Sequence, residues 1–119
     1  ALRIDLMDPN RAPMFEKGQA ALNLHGEQLI RLTAQALSLV PYTISIEGHT
    51  DSDPIRRQNY SNWDLSTDRA NAARRSLVAN GLSPARVRSV AGLADTRPLD
   101  TSAANLPLNR RLSIVIHIE

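Results

Sequence analysis

Gly48-His49-Thr50-Asp51 and Asn62-Trp63-Asp64-Leu65-Ser66-Thr67-Asp68-Arg69-Ala70 hold the residues best suited to chemistry in this chain of 119 residues. The first segment sets a carboxylate, Asp51, at the end of an apolar run. The second sets an amide, Asn62, and a guanidinium, Arg69, on the opening turns of an expected helix. Asn62, Ser66 and Arg69 follow i, i+4, i+7 spacing and so share one face. A carboxylate and a guanidinium brought together there could hold a small zwitterion. The carboxylate would receive its ammonium, and the guanidinium fork its carboxylate.

Each residue also has a plainer reading. Asp51 sits past the C-terminal end of a strand, where layered α/β proteins place ligands, yet a turn Asp also bonds its own backbone. Arg69 could be a solvated arginine or a surface pair with Asp64 or Asp68. Such pairs contribute only ~0.2–1 kcal/mol, which is a weak reason for a specific placement. Asn62 could serve helix-start hydrogen bonding, and free amides at that helix start would add donors for an anion. Leu65 reads as core, Ser66 as bonded to local backbone, and Trp63 as packing under the loop rather than as a stacking surface.

Other chemistries fit less well. His49, Asp51 and Asp53 fall at i, i+2, i+4 on irregular backbone, a poor frame for a tetrahedral metal; no metal is expected. His25 and His117 are isolated and read as surface or edge residues. Asp51 and Asp53 could form an acid/base pair for glycan cleavage, but nothing fixes their separation or supplies a carboxylate on a second face. No G-x-S-x-G, Walker or G-x-G-x-x-G motif occurs, and no cofactor is expected.

The elements that must position these residues follow from periodicity. Leu2, Ile4 and Leu6 alternate with polar neighbours as a half-buried strand ended by Asp8-Pro9-Asn10. A helical stripe runs from about Gln19 to Leu39, with Leu22, Leu29, Ile30, Leu37 and Val40, and Pro41 stops it. Tyr42, Ile44, Ile46 and Gly48 give a second strand, followed by an irregular loop from Asp51 to Tyr60. Ser61 and Asp64 have capping-box spacing for a helix starting near Asn62, with Leu65, Ala72, Ala73 and Leu77 inward and Asn80-Gly81 as its stop. Val87 to Gly92 is a third strand. Residues from about Asp95 to Leu108 read as loop, and Leu112, Ile114, Ile116 and Ile118 form the last strand. Strands alternating with helices predict helices layered on a mixed sheet.

The hydrophobic share of 42% is ordinary for one globular domain. Aromatics are scarce, so the core must come from aliphatic residues. Cysteine is absent, which excludes disulfides and thiolate metal sites. No apolar run approaches the roughly 18 residues of a membrane span, and Arg3 and Asp5 interrupt any signal-like opening. The net charge of +2 is small, and the arginines are interleaved with acids, which argues against nucleic-acid binding. Lys17 is the single lysine; the arginines suit planar recognition of carboxylates.

The pattern GHTD…NxxLSxxRA, completed by Asn109-Arg110-Arg111, resembles the OmpA-like peptidoglycan-binding domain. The spelling from Tyr60 to Leu82 and the opening from Leu2 to Ala20 narrow it. They resemble the periplasmic domain of flagellar motor stator B subunits, the MotB type, lateral-flagellum versions included. The resemblance covers nearly the whole chain. It implies a single α+β domain over 1–119, of the OmpA-like β-α-β-α-β-β order, with a mixed sheet and helices packed on one side. It implies a non-catalytic peptidoglycan site of Thr50, Asp51, Asn62, Leu65, Arg69 and Arg110. There Asp51 and Arg69 would clamp the zwitterionic end of diaminopimelate, and Arg110 or Arg111 would buttress the pocket. Many such domains have Gly three residues after the motif Asp. This chain has Pro54 and a longer loop, as MotB-type sequences do, and that loop, with Arg56 and Arg57, could cover the pocket.

The implied partners are peptidoglycan, a second copy of the chain, and a MotA-type ion-channel subunit met through a membrane part not in this sequence. The implied location is the periplasmic side of a single-pass inner-membrane protein; Ala1, inside an apparent strand, reads as the start of an excised fragment. Two alternatives remain: a wall anchor of another envelope complex such as a secretion system, and a peptidoglycan hydrolase.

Overall fold

Period-2 alternation produces four strands in the computed structural model, which describes residues 1–6, 13–97 and 110–118. They are β1 (Leu2–Leu6), β2 (Thr43–Gly48), β3 (Val87–Gly92) and β4 (Leu112–His117). Helix α1 (Leu24–Leu37) lies between β1 and β2, and α2 (Asn62–Ala79) between β2 and β3. The sheet order is β1-β4-β2-β3, with β2 parallel to β3 and β4 antiparallel to both β1 and β2. This is the expected mixed sheet. The expected turn at Asp8-Pro9-Asn10, Asn109, and most of the 95–108 loop lie outside the described residues.

One face of the sheet is apolar. Ile44, Ile46, Leu112, Ile114 and Ile116 pack there with Ile30, Ala34 and Leu37 of α1 and Ala70, Ala73 and Leu77 of α2. Each fully buried aliphatic side chain stabilises by roughly 1.5–3 kcal/mol, so this layer is the main driving force for docking the helices. The opposite face is polar and laced across strands. Arg3 pairs with Glu47, Ser113 donates to Asp5, and Ser45 meets both His117 and Ser89.

The ends of α2 follow the expected local chemistry. Ser61 and Asp64 form the capping box, with the Ser61 amide donating to Asp64 at 2.8 Å. Gly81, at φ +105°, ends the helix; its amide bonds the Val78 carbonyl and that of Leu82 bonds Leu77, a Schellman closure.

Helix α1 begins later than the apolar stripe suggests. Asn23 caps it by accepting from the Gly26 amide at 2.9 Å, and its own side-chain amide donates to the Pro13 carbonyl at 2.8 Å. Residues 13–23 therefore form a bonded connector, with Phe15 and Leu22 bridged, rather than helix. An early asparagine with two backbone partners outcompetes the helical continuation. Ile118 is 48% exposed beyond the end of β4, and Leu2 and Ile4 are exposed on the edge strand. Trp63 is 56% exposed, not packed as expected. Positions 62, 65, 66 and 69 take the inward arc of α2, which leaves position 63 about 100° round the helix.

Two glycines set how closely α2 approaches. A Cβ at Gly48 would lie 2.0 Å from the Ser66 carbonyl oxygen, and one at Gly92 would lie 2.2 Å from Thr67 Oγ1. The helix thus rests on bare backbone at the C-terminal ends of β2 and β3. That contact brings its opening turns beside Thr50 and Asp51.

Candidate functional site

A cavity of about 550 Å³ opens at this end of the sheet, and Thr50, Asp51, Asn62, Leu65, Arg69 and Arg110 all line it. Their arrangement follows from the topology. Thr50 and Asp51 continue β2 past Gly48. Asn62, Leu65 and Arg69 descend the inner face of α2. Arg110 enters from the start of β4, because Gly48 pairs with Leu112 in antiparallel register.

The same register decides between Arg110 and Arg111. Leu112 faces the helices, so pleating sends Arg110 to the cavity side and Arg111 to the polar face. Arg110 Nη1 lies 3.6 Å from Asp51 Oδ2. Arg111 instead donates to Asp5 at 3.3 Å and to the Arg97 carbonyl at 2.8 Å. Counting alternation back from Leu112 would have separated the two in the sequence.

Asp51 keeps part of its turn role. Its Oδ1 accepts from the Asp53 amide at 3.0 Å, which leaves Oδ2 toward Arg110. Asn62 donates to the Asp53 carbonyl at 3.1 Å and, at 3.4 Å, to that of Asp51, so the helix start ties down the strand end. Ser66 does what its plainer reading implies: its hydroxyl donates to the Trp63 carbonyl and accepts from the Ala94 amide. His49, Asp51 and Asp53 do not converge. His49 turns to the polar face, 3.1 Å from Ser113, while Asp53 pairs with Lys17 across the cavity. Among the described residues no group of three acidic, His or Cys side chains is placed to hold a metal.

Arg69 is the largest fully buried side chain among the described residues. Its Nε donates to the Gln19 carbonyl at 2.9 Å and its Nη2 to that of Glu16 at 3.2 Å, and its guanidinium lies 4.9 Å from the Phe15 ring centre. Burial, and secondarily the nearby Arg110, lowers its pKa to about 10; it stays charged at neutral pH. The 13–23 connector, where the sequence carries no expected site residue, therefore covers the guanidinium. The β2–α2 loop with Arg56 and Arg57 forms the rim instead. No sequence signal marks this cover, because it acts through backbone carbonyls about fifty residues away.

Six side-chain polar atoms among the described residues are buried with no hydrogen-bond partner, and four belong to this cavity: Thr50 Oγ1, Asn62 Oδ1, Arg69 Nη1 and Arg110 Nε. Buried polar atoms are normally paired, so such a cluster needs a cause. Two of the four are guanidinium nitrogens and one is an amide acceptor, and the Asp51 carboxylate lines the same cavity. The set complements a group that carries both an anion and a cation.

His49 was not foreseen as a buried group. It is 1% exposed, and desolvation, reinforced by Arg111, lowers its pKa from 6.5 to about 4. Glu47 and Asp5 only partly oppose this. A histidine held neutral in the fold contributes stability above its unfolded pKa of 6.5, and that contribution is lost as pH falls from 6.5 toward 4. The loss should approach about 3 kcal/mol. Thermal melts of the wild type and His49→Gln between pH 7.5 and 4 would check it, with the wild type falling more steeply. Parallel pH profiles would show that His49 carries no such burden.

A sequence profile of the OmpA family matches residues 14–110. Motility protein B of Escherichia coli K12 is 39% identical over 117 residues, which cover 97% of this chain and 38% of that protein. The chain thus spans less than half the length of that relative. Among solved structures, the periplasmic domain of Helicobacter pylori MotB superimposes with a TM-score of 0.81 over 98% of this chain and 82% of that one. At 24% identity, that likeness speaks for the fold. The cell wall anchor of the type VI secretion system of Pseudomonas aeruginosa gives a TM-score of 0.74 at 30% identity, covering 88% of this chain and 75% of the other.

Proposed function

The chain belongs to the OmpA family, and from that premise we propose that it is a non-catalytic peptidoglycan-binding domain, the wall anchor of a flagellar motor stator. Its site would hold the zwitterionic end of a diaminopimelate-containing peptide stem. Asp51 and Asn62 Oδ1 would receive the ammonium. Arg69 and Arg110 would receive the carboxylate, with Thr50 and Leu65 lining the floor. The observation that carries this reading is the cluster of unpaired donors and acceptors in one cavity.

Kinship with motility protein B supports the stator assignment. In the protein proposed, these 119 residues are the periplasmic domain of a longer chain with a single inner-membrane span. A MotA-type channel subunit meets that span, and a second copy pairs with the first. Among the described residues no helix is long and apolar enough to cross a membrane. An anchor needs retention rather than turnover. One charge-assisted clamp gives modest affinity per site, and pairing two domains multiplies it through effective concentration.

The test is co-sedimentation with purified diaminopimelate-type sacculi. Asp51→Asn removes one charge and little volume, and Arg110→Gln removes a donor. Both variants should melt near the wild type and leave the pellet. Retention of both at the wild-type level would sink the clamp, and clearing of the sacculi by the wild type would mean a hydrolase. The 30% identity to a secretion-system wall anchor favours a second reading, in which the same site holds the wall for a different machine. Restored swimming in a stator-deleted strain carrying this domain on a stator membrane segment separates the two.

A further inference from the structure

The cavity carries more positive charge than a zwitterion can use. Its lining includes five cations, Lys17, Arg56, Arg57, Arg69 and Arg110, against two carboxylates, Asp51 and Asp53. Lys17 pairs with Asp53, and Arg110 lies beside Asp51. Arg69 sits on the floor with its Nη1 unpaired. That leaves Arg56 and Arg57 on the rim, and no carboxylate among the described residues is placed to pair with either. A ligand end bearing one ammonium and one carboxylate is neutral and leaves this excess unmatched.

Arg57 is held ready. Its guanidinium carbon stands 3.8 Å from the centre of the Tyr60 ring, and Arg57 and Tyr60 also bridge through their backbones. The Tyr60 hydroxyl donates to Asp68 on α2, and Asn59, at φ 57°, makes the turn between them. The Arg57 guanidinium also hydrogen-bonds the Tyr60 hydroxyl; with five N–H groups in its plane, it keeps others available to an anion. A stacked arginine also loses less side-chain freedom when it binds a planar anion.

We propose that Arg56 and Arg57 form a second anion subsite on the cavity rim, for a further free carboxylate on the same peptide stem. The proposal rests on the stem-binding reading above and refines it. The floor selects the zwitterionic residue, and the rim selects stems whose neighbouring acid is unmodified. Amidation of that acid removes the charge and replaces an acceptor with a donor, which a guanidinium cannot use.

The test uses two soluble stem peptides that end in diaminopimelate and differ only in whether the second carboxylate is free or amidated. Affinities are measured by calorimetry on the 119-residue chain, its Arg56→Gln single variant and the Arg56→Gln/Arg57→Gln double variant. The wild type should bind the free acid about fivefold tighter than the amide, a ratio that shrinks as salt rises. The double variant should bind both stems as the wild type binds the amide, and the single variant should fall between. Equal affinity of the wild type for the two stems would overturn the subsite alone, as would discrimination that survives in the double variant. Failure of the wild type to bind either stem would instead overturn the stem-binding reading, and the subsite with it.

Discussion

Replacement of Arg69 by Met is expected to abolish wall binding and to cost about 2–4 kcal/mol of folding stability. The residue is fully buried, and its guanidinium joins two backbone carbonyls of the 13–23 connector to the inner face of α2. Met fills a similar volume, so the cavity term stays small. What is lost is the pair of donors to Gln19 and Glu16, whose carbonyls are then left without them. The connector should loosen, and the unpaired Nη1 disappears with the rest. Urea unfolding gives the stability change, and co-sedimentation at low temperature, where the variant is folded, gives the binding. Arg69→Lys sharpens the test, since it keeps the charge but cannot fork between two carbonyls and a ligand. A Met variant as stable as the wild type and still pelleting with sacculi would remove Arg69 from both roles.

Gly48→Ala should destabilise the fold by about 3 kcal/mol or more. The added methyl would meet the Ser66 carbonyl oxygen at 2.0 Å, and the Ser66 carbonyl carbon at 2.9 Å. Neither contact is the flexible end of a side chain, so relief requires α2 to lift from β2. Asn62, Leu65 and Arg69 all ride on that helix, so any folded variant should also lose the cavity. Gly81→Ala is the control. It meets nothing within 4 Å but must hold φ near +105°, and it should lose only about 1 kcal/mol with the site intact. Denaturant midpoints for the two variants decide the matter. Equal losses would mean that the close approach of α2 to β2 is not what limits the fold.

Much of this architecture is legible in the chain because it is encoded locally. Ile44, Ile46, Leu112, Ile114 and Ile116 announce their strands by alternation, Ser61 and Asp64 announce the start of α2, and Asn80-Gly81 its end. The spacing of Asn62 and Arg69 puts both on one face of α2, and both reach the cavity that Asp51 also lines. Other features had no local signature. Trp63 looked like an anchor and lies outside, because side-chain size does not say which arc of a helix meets the sheet. His49 looked like only one corner of a poor metal frame with Asp51 and Asp53, and it is buried on the polar face beside Ser113. The stripe from Gln19 looked helical, but Asn23 found better partners in Pro13 and Gly26.

By itself, then, the sequence determined the strands, the ends of α2 and the kind of chemistry gathered around Asp51 and Arg69, because periodicity, capping and charge act over a few residues. Only the tertiary structure decided that Arg110 rather than Arg111 enters the site, that the 13–23 connector seals Arg69, and that Gly48 and Gly92 let α2 rest on bare backbone. Those outcomes depend on antiparallel register and on contacts between segments far apart in the chain, which a linear pattern does not carry.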